Sequence, residues 1–210
     1  MPRVLCLHGC NQTRAAFEGY LKALVAMGVK HHELEFVFLE ARHDHSQGGK
    51  TWYARELDVG QIGKLELEPA MVEPTLLDVH AAVLAHGIDV LLGFSQGGNV
   101  VDAYLASRPS SPVKCAVIMS GYELLDPARP TVRVPLLSVM SAADPSGPPN
   151  PAHEDPVVPA ALAPSHYERV EVLRHTKGHR IPTSRPQLRA ICTFMQHLGL
   201  NAGGAGEPAN

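Results

Sequence analysis

The chain has 210 residues, 45% of them hydrophobic and 19% charged, with a formal net charge of −3. That length supports one sizeable core and is short for two ordinary domains. No run of lysine and arginine stands out, which speaks against nucleic acid and anionic membrane as partners.

Residues 3–7 are a short β-branched and leucine run that ends in His8-Gly9, and they read as a buried strand entering a loop. Over residues 13–27, Phe17, Leu21, Leu24 and Val25 keep helical spacing, Gly28 reads as the stop, and Asn11-Gln12-Thr13 reads as the cap. Residues 34–39 are the next strand. Residues 40–68 show no clean period and carry Gly48-Gly49; they read as a long excursion, a feature that in compact domains is often functional. A helix returns near Glu73, with Pro74 in its first turn, Val72, Leu76, Val79 and Val83 on one face, and Gly87 at its end. Residues 88–92 lack polar alternation and read as a strand buried on both faces. A helix over 98–107, strands over 115–119 and 135–140, a proline-rich loop over 144–165, a last strand over 169–173 and a closing helix over 184–198 follow. Residues 201–210 are rich in Gly, Ala and Pro and read as a disordered tail, leaving 1–200 as one domain. Strands alternating with helices predict an α/β fold, a mostly parallel central sheet with helices on both faces. In such sheets ligands bind at the carboxyl ends of the strands.

Residues of chemical interest lie at those ends. Gly93-Phe94-Ser95-Gln96-Gly97-Gly98 is a GxSxG motif between a predicted strand and a predicted helix. Small residues flank the serine because the chain must turn sharply, and the turn presents the hydroxyl at a helix N-terminus. Ser95 is therefore the expected nucleophile of an α/β-hydrolase fold. A serine hydroxyl needs a base, and here the chain order is serine, acid, histidine. His179, in Lys177-Gly178-His179-Arg180-Ile181-Pro182 after the last strand, is the expected base; His175, at the strand end, reads as a solvated loop histidine. Two acids compete. Asp144 follows the strand over 135–140 after Ser141-Ala142-Ala143, whereas Asp155 comes after a longer detour and precedes Val157-Val158-Pro159. Tethering to the strand favours Asp144, and Asp155 stays open as the alternative. The oxyanion needs two backbone donors, expected at the amides of Gln96 and Cys10. Trp52 and Tyr53 either line an acyl pocket or pin the excursion.

Metal and redox chemistry find little support. His31-His32 and His43-Asp44-His45 have no third ligand at useful spacing and read as surface loops. Cys6, Cys10, Cys115 and Cys192 form neither a CxxC pair nor a zinc pattern, and the N-terminal sequence lacks a secretory signal, which together predict free thiols in a cytoplasmic setting. No segment reaches the roughly 18 apolar residues of a membrane span.

With Leu7-His8-Gly9 and Gln12, Trp52-Tyr53, Gly93 to Gly97, Ser120-Gly121, an Asp before a Val-Pro step, and Gly178-His179 with Pro182, the chain resembles the yeast-type family of serine hydrolases, which includes the ovarian-tumour-suppressor-candidate esterase. The resemblance covers about residues 3–198. It departs in the acid region, where an insertion lets either Asp144 or Asp155 align to the family's single Asp. It implies a carboxylesterase acting without a cofactor on short- to medium-chain acyl esters or thioesters, as small-molecule substrates. A peptidase or amidase, and a catalytically silent scaffold that binds a ligand, are the alternatives to that reading.

Overall fold

The computed structural model describes residues 1–53, 69–121, 130–141 and 167–201. Six strands form one all-parallel sheet: β1 (Arg3–Leu7), β2 (Glu35–Leu39), β5 (Val90–Phe94), β6 (Cys115–Met119), β7 (Leu136–Ser141) and β8 (Val170–His175), in spatial order β2-β1-β5-β6-β7-β8. Period-two alternation divides their side chains between two cores. Val4, Cys6, Val90, Leu92, Cys115 and Val117 pack on one face with helices α1 (Arg14–His32) and α4 (Arg185–Asn201). Leu5, Leu7, Leu91, Ala116 and Ile118 pack on the other with α2 (Pro69–His86) and α3 (Gln96–Ser107). This is the predicted layering of helices on both faces, and each fully buried Val, Leu or Ile contributes about 1.5–3 kcal/mol.

Several boundaries differ from expectation for local reasons. Helix α1 runs through Gly28 and ends where Glu33 takes a left-handed φ of 53°. Gly28 is there for packing: a Cβ would stand 2.7 Å from the Phe36 ring. Thr13 caps this helix, accepting from Ala16 N–H at 3.2 Å. The excursion contains a two-stranded hairpin, β3 (His43–Asp44) against β4 (Lys50–Thr51), so His43 and Asp44 are strand rather than loop residues. His31 and His32 lie in the last turn of α1, not in a loop, and His32 Nδ1 bonds Gln196 Oε1 at 2.9 Å. Helix α2 starts before Pro74, which is interior, so the ring's missing N–H costs one helical bond rather than none. Strand β5 extends to Phe94 and α3 begins at Gln96, leaving Ser95 as the whole turn. The 144–165 segment and residues 202–210 lie outside the described residues.

Burial keeps the Cys6, Cys115 and Cys192 thiols protonated. It pushes Cys192 up to about 12 and, with Asp89 adding to it, Cys115 up to about 12, and it raises Cys6 further. Among the described residues no helix is long and apolar enough to cross a membrane.

Candidate active site

The strand order places the site. From β1 the chain steps outward to β2 and then returns to β5 on the opposite side of β1, so the carboxyl ends of β1 and β5 flank the point where the winding reverses and a crevice opens. The loop after β1 and the turn after β5 meet there: a Cβ on Gly97 would stand 2.3 Å from the Leu7 carbonyl oxygen and 2.5 Å from that of His8. A Cβ on Gly93 would stand 2.4 Å from Gly97 O. Side chains are excluded at both positions because the turn folds back on the sheet.

Ser95 sits at φ 52° and ψ −121°, outside the regions L residues favour. Such a conformation costs about 1–3 kcal/mol and persists only where the surroundings over-determine it. They do so here. Ser95 N–H donates to Met119 O at 2.9 Å, and Ser95 O accepts from Gly98 N–H at 2.8 Å and Asn99 N–H at 3.2 Å. The serine is half-exposed beside buried neighbours.

The loop after β1 is fixed group by group. His8 is fully buried. Its Nδ1 bonds Gly9 O at 2.8 Å and its Nε2 accepts from Ala41 N–H at 3.1 Å. Gly9 N–H donates to Gln12 Oε1 at 2.9 Å, so Gln12 braces the loop as well as preceding the helix cap. Among the described residues, the amides of Cys10 and Gln96 donate to no protein acceptor. These are the two donors that the sequence nominated for an oxyanion.

Trp52 and Tyr53 are both buried, at 1% and 0% exposure. Trp52 is held by three contacts at its ring and carbonyl. Trp52 Nε1–H donates to His8 O at 2.7 Å, Trp52 O accepts from the Thr75 hydroxyl, and the Trp52 ring lies 4.9 Å from that of His8. Sequence reasoning used Gln96 only for its amide and missed its side chain. Gln96 Oε1 accepts from Trp52 N–H at 3.0 Å and from the Thr51 hydroxyl at 2.9 Å, tying the excursion to the residue next to Ser95. A glutamine following the motif serine was the available signal, but its partner is 44 residues away.

His179 lies in the loop between β8 and α4, its ring 5.1 Å from that of Phe94, the residue before Ser95. Gly178 takes a φ of 66°, its N–H donates to Ser141 Oγ at 3.0 Å, and its carbonyl accepts from Arg180 N–H at 2.7 Å. The histidine loop is thus fastened to the end of β7. His175 differs from expectation. It is 5% exposed, the last residue of β8, and its Nδ1 accepts from Lys177 N–H at 3.2 Å. Register with Ser141 draws it inside, so it is no solvated loop residue. Asp144 and Asp155 lie outside the described residues. Asp102, buried in α3, accepts from the Tyr167 hydroxyl at 3.0 Å. Among the described residues no cluster of His, Cys, Asp and Glu could hold a metal.

Burial depresses the His8 imidazole below the ordinary histidine value of 6.5, although the bond to Gly9 and the nearby Glu40 act the other way. Its Nε2 is 3.2 Å from Glu40 Oε1; with Nε2 accepting from Ala41, that is a contact between two acceptors until a proton arrives. Above about pH 6.5 both folded and unfolded chains hold a neutral imidazole, and below it the unfolded chain binds the proton first. Folded stability contributed by His8 is therefore lost as pH falls. Thermal unfolding at pH 7.5 and 5.5 should show a lower Tm at the acid value, and His8→Asn should narrow that gap. An unchanged gap would place the acid sensitivity elsewhere.

A family model described as Serine hydrolase (FSH1) matches residues 1–191. Esterase GA18864 of Drosophila pseudoobscura pseudoobscura is 29% identical over 92% of this chain and 71% of its own length. The solved structure of YahD with malic acid superposes at a TM-score of 0.67 and 14% identity, covering 94% of each chain. The Bacillus cereus carboxylesterase superposes at 0.64 and 12% identity, over 94% of this chain and 88% of that one. These structural likenesses are to the α/β-hydrolase fold.

Proposed function

This chain belongs to the serine hydrolase (FSH1) family, and on that premise we propose that it is a carboxylesterase in which Ser95 attacks the acyl carbon and His179 is the base. Ser95 Oγ adds to the carbonyl while His179 takes its proton, and the amides of Gln96 and Cys10 receive the oxyanion. Collapse expels the alcohol or thiol, which takes the proton back from His179. Water then enters by the same route and releases the acid. Asp144 orients the imidazole, with Asp155 as the alternative acid. The substrates are short- to medium-chain acyl esters or thioesters, and residues 1–200 form one catalytic domain in a cytoplasmic enzyme.

The observation that carries this reading is the conformation of Ser95. A non-glycine residue held at positive φ as the entire turn between a buried strand and a helix, with the His179 ring against its neighbour Phe94, matches what an activated serine requires. The amides of Gln96 and Cys10, which among the described residues donate to no protein acceptor, flank that turn. The test is labelling with a fluorophosphonate probe, followed by a panel of p-nitrophenyl and thiol esters of increasing acyl length. Labelling at Ser95 and turnover that peaks at short or medium chains is the expected result. A chain that neither labels nor turns over any ester would overturn the reading.

A further inference from the structure

We infer that the buried imidazole of His8 is a positioning residue for the oxyanion hole, aiming the Cys10 amide through the Gly9 carbonyl. The inference rests on the reading of Ser95 and of the Cys10 amide given above, and it assigns the fixing of that amide to one side chain and one tautomer.

The argument starts from the peptide plane. In a trans peptide the C=O of one residue and the N–H of the next point in opposite directions and turn together. The direction of Cys10 N–H is therefore set by whatever holds Gly9 C=O. Gly9 has no side chain to restrain its own dihedrals, so the restraint must come from outside. The plane before it, His8–Gly9, is held at both ends, by Trp52 Nε1–H on the His8 carbonyl and by Gln12 Oε1 on the Gly9 amide. The plane Gly9–Cys10 is held at its carbonyl end by His8 Nδ1, at 2.8 Å, and its N–H donates to no acceptor among the described residues. One hydrogen bond thus aims one unspent donor.

That bond works in one tautomer. A carbonyl oxygen can only accept, so Nδ1 must carry the hydrogen. Ala41 N–H can only donate, and it donates to Nε2 at 3.1 Å, which must then be bare. A neutral imidazole has one N–H; Gly9 O takes it at Nδ1 and Ala41 N–H keeps Nε2 bare, against the pull of Glu40 Oε1 at 3.2 Å from Nε2. Packing against Trp52 and full burial keep the ring in place. The chain of dependence runs from Ala41 N–H to His8 Nε2, through the ring to Nδ1–H, then to Gly9 O, and so to Cys10 N–H.

Two polar replacements separate the ring's two ends. The amide nitrogen of an asparagine falls near the place of Nδ1 and can still donate to Gly9 O. A glutamine reaches near Nε2 and can still accept from Ala41, but it leaves Gly9 O without its donor. His8→Gln should lower kcat by about 10²-fold, the scale of losing one oxyanion donor, with KM little changed because ground-state binding does not use that amide. His8→Asn should keep most of kcat. Affinity for a trifluoromethyl ketone, which adds to the serine as an oxyanion, should fall in parallel with kcat/KM across the two variants. A merely structural role would lower Tm and leave both the kcat-to-KM split and the ketone affinity as in the unaltered chain. The reverse order, with His8→Asn the worse enzyme, would also overturn the inference. Should either variant fail to fold, the tautomer can be read in the unaltered protein by long-range ¹H–¹⁵N NMR of the histidine rings, where His8 must show a protonated Nδ1 and a bare Nε2; a protonated Nε2 overturns the inference. Absence of Ser95 labelling in the unaltered chain would mark failure of the underlying hydrolase reading, whereas normal labelling with equal kcat in both variants would mark failure of this inference alone.

Discussion

Ser95→Ala is expected to abolish ester hydrolysis and fluorophosphonate labelling, a loss of several orders of magnitude in turnover, while the chain keeps its fold. Removing the hydroxyl deletes the atom that forms the acyl intermediate, and the surviving oxyanion donors and binding surface return only a small part of the rate. The backbone gives no reason for the variant to unfold: the positive φ is fixed by bonds from Ser95 N–H to Met119 and from Gly98 and Asn99 to Ser95 O, and alanine keeps all of them. Turnover measured beside a thermal melt checks both halves. Labelling that persists in the variant would move the nucleophile to another residue.

Asp144→Asn is expected to lower turnover by about 10⁴-fold, by holding the imidazole in the wrong tautomer, and Asp155→Asn to lower it little. The proposed choice of Asp144 rests on its short tether to a strand end. β7 runs to Ser141, whose register partner is His175 and whose hydroxyl holds the Gly178 amide. In sequence, Ala142 and Ala143 alone separate that anchor from Asp144. Asp155 can arrive only through a long proline-rich detour, whose ordering costs roughly 1–2 kcal/mol of backbone entropy per residue. Steady-state kinetics of the two variants decides between them. A large loss confined to Asp155→Asn would transfer the role, and small losses in both would mean that another group orients His179.

Buried strands were legible because burial on both faces leaves an uninterrupted apolar signature. Cys115–Met119 and Arg3–Leu7 were read to the residue. The serine turn was legible because its glycines answer a local steric demand. Helix ends were less so. A glycine signals either a stop or a close approach, and Gly28 serves Phe36 rather than ending α1. The hairpin inside the excursion escaped notice because strands of two residues carry no period. Least legible were contacts between distant polar groups. Nothing local to Gln96 reveals that Trp52 N–H needs its oxygen, and nothing local to His8 reveals Ala41. The choice between Asp144 and Asp155 was ambiguous for the same reason: it depends on where a long segment returns, and spacing does not encode that.

Phe38, Phe17, Phe94 and His179 form a run of rings with successive centroids 6.2, 6.3 and 5.1 Å apart. Its first three members come from β2, α1 and β5, with Phe17 and Phe94 buried and Phe38 partly buried against them, and its last is the imidazole. With His179 as the proposed base, interior packing and reactivity become linked traits. A drift from Phe to Leu at position 17, which removes volume from a fully buried site, would also loosen the surface on which the imidazole rests. Lineages could retune catalytic rate through residues that never meet the substrate.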